Sequence, residues 1–191
     1  LLSISNHPPY VLPDYFVPRS EKMEDAIVEY ADWSIRKFFA AAQKEPWFDN
    51  TIFVLLGDHG KLVGTPECEM PHSYNHVPLM IYGKGIAPAR IEGFGGQIDV
   101  APTLLGMLGM EYVQNNFGVD LLKEQRPCMF YTADNLVAAR DSSHLYVFSP
   151  ETGQEFLYEY TGGKISTAQY SDVYGRLKEY CFSMLQSTEY L

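Results

Sequence analysis

Basic residues are scarce in this 191-residue chain: 14 Lys and Arg stand against 24 Asp and Glu, a formal net charge of −10 with His neutral. A general nucleic-acid binder needs a basic face, so nucleic acid is excluded as a partner. Cysteine is scarce too. Cys68, Cys128 and Cys181 lie far apart with no CxxC pair, which argues against a Cys-based zinc site. An odd count in a chain of this size also argues against a disulfide scaffold. One bridge stays open, so cysteine usage leaves the cellular compartment undecided, and the three read as ordinary buried or half-buried thiols. Long apolar runs are missing: Ile52 to Leu56 is only five residues, against the ~20 that a membrane-spanning helix needs. There is no internal repeat and no low-complexity tract. The chain opens on Leu1 without a Met or a signal-like stretch, which points to a piece of a longer chain. What is present is ordinary for a globular protein. Hydrophobic residues make up 46% and charged residues 20%, so disorder is excluded as the main state. The length suits one domain, with room for a small appendage.

Along the chain, residues 1–18 are rich in Pro and aromatics and read as a strand end followed by irregular loop. A helix follows. Ser20 can cap it, Glu21, Glu24 and Asp25 suit its positive N-terminal end, and Ile27, Tyr30, Ala31, Ile35, Phe38 and Phe39 recur at helical spacing. Ile52 to Leu56 is apolar without alternation, which predicts a strand covered on both faces, as in the parallel sheets of α/β proteins. Val77 to Tyr82 is a second such run, and a polar loop from Asp58 to His76 lies between them. Asp99 starts another helix, with Pro102 in its first turn and Gly109 at its end. After Pro127 the pattern changes. Met129 to Val137, Leu145 to Phe148 and Glu155 to Tyr160 predict short antiparallel strands with turns at 141–143 and 150–153, and a closing helix from about Ser171 is expected to pack on the main sheet. The expected division is residues 1–126 as an α/β part and residues 127–191 as an antiparallel subdomain with its helix.

Gly57-Asp58-His59-Gly60 directly follows the first buried run. In α/β sheets ligands bind beyond the carboxyl ends of the strands. A carboxylate and an imidazole side by side at that place can reach one divalent metal ion, and the flanking glycines allow a tight turn. Taken alone, the pair reads equally as an Asx-type turn with an incidental His. His72 and His76 follow in the loop that returns to the same sheet end. His76, just before Val77-Pro78, suits a supporting role. His7 lies in Ser5-Asn6-His7-Pro8-Pro9-Tyr10, His144 reads as structural, and Lys61 reads as solvated although it follows the Asp-His-Gly motif.

Five ordered segments together carry a resemblance. Asn50-Thr-Ile-Phe-Val-Leu-Leu-Gly-Asp-His-Gly60 resembles the metal-binding strand and loop of the alkaline phosphatase superfamily, in particular its sulfatase branch and the phosphoglycerol transferases that resemble lipoteichoic acid synthase. Ser5-Asn-His-Pro-Pro-Tyr10 resembles the segment before the long helix of those enzymes. His72-Ser-Tyr-Asn-His-Val-Pro-Leu79 resembles their loop into a Val-Pro-Leu strand. Gly96-Gln-Ile-Asp-Val-Ala-Pro-Thr-Leu-Leu105 and Asn115-Asn-Phe-Gly-Val-Asp-Leu-Leu122 resemble two downstream segments. The good matches span residues 1–122; the tail, with Arg140 and Phe156-Leu-Tyr-Glu159, is only weakly similar.

The resemblance implies a three-layer, alkaline-phosphatase-like α/β sandwich, here in part, with a small antiparallel C-terminal appendage and a closing helix. It implies a divalent metal ion (Mn, Zn, Mg or Ca) held by Asp58 and His59, with an acidic ligand and the nucleophile coming from sequence before Leu1, and with room for a weak second ion. Ser3 stands where two-metal relatives carry an Asp, so a full second site is not expected. His7 and His72 are implied as the catalytic pair facing the transferring group. The implied function is metal-dependent hydrolysis or phosphoglycerol-type transfer at sulfate or phosphate esters, with these residues alone inactive. The implied partners are an anionic ester, lipid- or glycan-linked substrates included, and the missing N-terminal part of the same chain. The implied location is the cell membrane, with the catalytic domain on the extracytoplasmic side and the present residues themselves soluble. Two alternatives stand beside it: a phosphoglycerate-mutase-like or phosphodiesterase-like member of the superfamily, and a non-catalytic truncated relative.

Overall fold

A computed structural model describes residues 2–161, 164–169 and 172–190. The chain divides into two compact units, residues 1–55 with 80–87, and residues 56–79 with 88–191. This cut differs from a division after residue 126, because the loop following the first strand joins the unit that holds the C-terminal strands.

The first unit is built on helix α1, Met23–Ala42, and on all but one end residue each of strands β1, Ile52–Leu56, and β2, Leu79–Gly83, which are neighbours in a two-stranded sheet. α1 starts at Met23 rather than beside Ser20. Lys22 occupies the cap position without a side-chain cap, while Ser20 Oγ accepts the Lys22 N–H and donates to Asp25. The entry is fixed by Glu29, whose carboxylate accepts the backbone N–H groups of Arg19 and Ser20 at 2.7 and 3.0 Å. An acid over the first turns also suits the positive end of the helix. Only Ala26, Ile27 and Ala42 of this helix are buried.

The core of the unit is aromatic. Phe53 of β1 meets the rings of Phe38, Phe39, Trp47, Phe48 and Tyr82 at centroid distances of 5.0 to 6.2 Å, the tilted and edge-on spacings that aromatic pairs prefer. Neither strand has a fully buried residue. β1 is half-buried until Leu56, and β2 alternates between half-buried and exposed. The expectation of a strand covered on both faces is therefore not met here; an apolar run reports what a strand can bury, not what covers it.

The second unit contains the short helix α2, His72–Asn75, helix α3, Val100–Met107, a five-stranded antiparallel sheet and helix α4, Asp172–Thr188. The sheet runs in sequence order: β3 Met129–Ala133, β4 Leu136–Arg140, β5 His144–Phe148, β6 Glu155–Thr161 and β7 Lys164–Thr167. The run expected as one strand from Met129 to Val137 is instead a tight hairpin. Asp134 and Asn135 both take positive φ, 49° and 62°, the backbone of a two-residue turn that matches strand twist.

Side chains alternate across this sheet. On one face Val137, Ala139, Tyr146 and Leu157 pack with Leu177 and Cys181 of α4. On the other Ala138, Leu145, Val147 and Tyr158 pack with Met70, which is 2% exposed. So α4 closes the antiparallel sheet itself, and β4, β5 and β6 carry buried residues on both faces. Among the described residues no helix is long and apolar enough to cross a membrane.

Candidate metal and anion site

Asp58 and His59 leave the end of β1 in an exposed turn whose shape is set by three backbone anchors. The amide nitrogen of Gln97 donates to the carbonyls of Gly57 and Asp58 at 2.9 and 2.7 Å. The Gly60 N–H donates to the Tyr74 carbonyl at 2.8 Å. Glycine is required at 60 for close approach: a Cβ there would stand 2.0 Å from the Ser73 carbonyl oxygen. Within the turn, Asp58 Oδ1 accepts the His59 N–H at 3.0 Å.

The imidazole of His59 is oriented by its own backbone. Nδ1 lies 2.8 Å from the Gly60 carbonyl oxygen. A carbonyl only accepts, so Nδ1 carries a proton, and in the neutral ring Nε2 is the nitrogen with the free lone pair. That Nε2 lies 3.8 Å from Asp58 Oδ2. A carboxylate oxygen and a free imidazole nitrogen are thus presented together, on side chains that are largely exposed. A backbone carbonyl on the other ring nitrogen is the usual way a ligating His is aimed. The donor set fits part of the shell of a divalent cation. Among the described residues no group of three or more His, Cys, Asp or Glu is placed to hold a metal ion, so this pair on its own is half a cage.

His72 opens α2 in the same unit. Its backbone N–H donates to Glu67 Oε1 at 3.1 Å. Its ring stacks on His76 with centroids 4.6 Å apart and meets Tyr160 edge-on at 5.7 Å. Its Nδ1 is 2.8 Å from Arg140 Nη1. Burial, the charge of Arg140 and His76 push its pKa below the ordinary value, with Glu67 opposing. His7 belongs to the other unit and is exposed, with Nδ1 2.8 Å from the Pro8 carbonyl. His144 opens β5, its backbone N–H donating to Asp141 Oδ1 at 2.7 Å.

Three contributors escaped the sequence reading. Gln97 holds the Asp58 turn from 39 residues away. Asp99 is wholly buried and accepts from Arg126, from the Gly96 N–H and from the Val119 N–H, so it is an internal strut rather than a simple helix cap. Arg140 reaches His72 across 68 residues of sequence. In the sequence Gln97 and Asp99 fall inside a matched segment, Asp99 reads as a helix start and Arg140 lies in the weakly similar tail; no local pattern pairs them with these partners.

The fold is that of the alkaline phosphatase superfamily. A solved member from Vibrio parahaemolyticus superposes with a TM-score of 0.82 and 25% identity, covering 98% of this chain and 48% of that one. The family model for sulfatases matches residues 1–110, and the chain belongs to the sulfatase family. Lipoteichoic acid synthase 2 of Bacillus subtilis is 28% identical over 149 residues, covering 65% of this chain and 22% of that protein. Lipoteichoic acid synthase 1 of the same organism is 24% identical over 180 residues, covering 81% and 28%. Choline-sulfatase of Rhizobium meliloti is 29% identical over 98 residues, covering 49% and 19%. The chain therefore spans less than a third of the length of these curated relatives.

Proposed function

We propose that this chain forms part of a metal-dependent enzyme that hydrolyses or transfers sulfate or phosphate esters, of the sulfatase or phosphoglycerol-transferase kind. The observation that carries the reading is the Asp58–His59 pair: its Nε2 lone pair is freed by the Nδ1–H bond to Gly60, and it stands beside a carboxylate just past β1. Membership of the sulfatase family and likeness to lipoteichoic acid synthases support the substrate class, an anionic ester, lipid-linked ones included. On this reading the remaining ligands and the nucleophile come from sequence preceding Leu1, and the residues present lack turnover by themselves. The whole protein acts on the extracytoplasmic side of the cell membrane.

Asp58 and His59 bind and orient the cation. When bound, a divalent ion offsets the charge of the ester oxygens and lowers the pKa of an attacking oxygen. His72 supplies a neutral N–H to a remaining ester oxygen, where preorganised donors do most in such transfers. Because its Nδ1 already accepts from Arg140, His72 is set up to donate rather than to ligate, which favours one ion over two. His7 is proposed as a second imidazole facing the anionic group. An acidic protein can bind such an anion, since surface charges beyond ~10 Å are screened while the bound cation acts at contact.

The test is a titration of Mn²⁺ into the ¹⁵N-labelled 191-residue chain. Paramagnetic broadening is expected to centre on residues 57–60 and to be lost in Asp58→Asn and in His59→Gln. Broadening centred elsewhere, or unchanged in both variants, rejects the site.

A further inference from the structure

We propose that Arg140 is a positioning residue for His72: carried at the end of β4, it fixes the imidazole as the Nε2–H form and so presents one neutral hydrogen-bond donor. The role of that donor rests on the reading of His72 given above; the tautomer itself does not.

The argument starts from the contact between Arg140 Nη1 and His72 Nδ1 at 2.8 Å. A guanidinium has five N–H donors, no acceptor and a proton it does not release. Nδ1 must therefore accept, and the single proton of the neutral ring sits on Nε2.

Arg140 is itself held in place. Its Nε donates to the Asp141 carbonyl at 3.3 Å. Its guanidinium carbon lies 4.3 Å from the centroid of Tyr160 and 6.0 Å from that of Phe94, within the range of cation–π attraction. The neighbouring carboxylate does not compete for it. Asp141 is engaged by Arg176 and by the backbone N–H groups of Ser143 and His144. Burial alone would raise the Asp141 pKa, but these partners outweigh it and hold it below the ordinary carboxylate value. Among the described residues no carboxylate forms an ion pair with Arg140, so its charge stays directed at the imidazole.

The titratable groups facing His72 are Arg140 from β4, His76 stacked on its ring, Tyr160 from β6 at its edge, and Glu67 beneath its backbone. Two of them, Arg140 and His76, disfavour the imidazolium, as burial does; Glu67 favours it. The outcome is an imidazole that stays neutral and keeps its proton on the ring nitrogen away from Arg140. The antiparallel sheet thereby contributes a residue to the candidate site.

Long-range ¹H–¹⁵N correlations on the histidine-labelled 191-residue chain test this directly. His72 is expected to show the Nε2–H pattern at neutral pH and to stay neutral below the ordinary His range. In Arg140→Met, which keeps the apolar stem, His72 should become a mixture of tautomers and take up its proton at higher pH. Arg140→Lys, which restores a donor and a charge, should bring back the low titration. An Nδ1–H pattern in the unsubstituted chain overturns the proposal whether or not any variant folds, and so does a tautomer and titration unchanged in Arg140→Met. Failure of the Mn²⁺ experiment leaves this result standing, and the reverse also holds, so the two readings fail separately.

Discussion

β4 and β1 are both five-residue strands, yet they are treated very differently. The middle three residues of β4 are buried, Val137 and Ala139 under α4 and Ala138 under Met70. No residue of β1 is buried, and its C-terminal end runs straight into the exposed Asp58-His59 turn. Strength and chemistry are thus separated. The antiparallel sheet holds a two-sided apolar core, while the proposed metal pair hangs on an exposed turn fixed by hydrogen bonds to backbone. A cation needs accessible ligands and a stable sheet needs covered faces, and one strand cannot supply both.

Substitutions can break this contrast. The largest loss is expected at the buried Asp99 strut. Asp99→Ala would leave Arg126 buried without its carboxylate and should cost about 3–5 kcal/mol, read by urea denaturation; a loss below ~1 kcal/mol would show that the pair is dispensable. Next comes Leu177→Ala in the α4 core, expected to cost about 2–5 kcal/mol, against roughly 1 kcal/mol for Val54→Ala in half-buried β1. A reversed order would abolish the contrast between the strands. Gly60→Ala should act the other way: its Cβ meets the Ser73 carbonyl, so the turn must shift and Mn²⁺ broadening at residues 57–60 should disappear, while the α4 core keeps its hydrogen-exchange protection. Asp58→Asn neutralises an exposed carboxylate, the proposed ligand, and should change stability by no more than ~0.5 kcal/mol.

The smallest effect concerns pH. His72 is held below the ordinary value near 6.5 by burial, Arg140 and His76, so between the two values the unfolded chain binds more protons than the folded one. Stability should then fall as pH drops from about 6.5 and level off below the folded value. His72→Gln should remove that component from the pH dependence of the urea midpoint.

Local features of the fold were legible in the sequence. α1 showed as a helical apolar stripe, α3 as a segment with Pro102 inside and Gly109, at φ 64°, beyond its end, and the turns at 141–143 and 150–153 as clusters of turn residues. The hairpin at Asp134-Asn135 did not show, because neither residue is Gly and the flanking apolar residues read as one run. Of the site, the Asp58-His59 pair and His72 stood out because adjacent ligand-type residues after a strand carry meaning in themselves. Gln97, Asp99 and Arg140 did not, because each acts through a partner 27 to 68 residues away, and no periodicity encodes such pairings. The choice of His7 and His72 as a pair came from the resemblance alone; the fold sets them in different compact units.

One consequence lies in the loop between the Gly60 and Tyr74 anchors. Its first half is exposed, and Gly64, at φ +77°, has open space where a side chain would project. Its second half is moored by Met70 in the sheet core and by Glu69, which accepts from the Tyr158 hydroxyl. Extra residues spliced in at Gly64 would disturb neither mooring, and each doubling of a flexible loop's length costs only ~0.6 kcal/mol. That bend is the natural place to graft a reporter or a recognition segment beside the Asp58 turn.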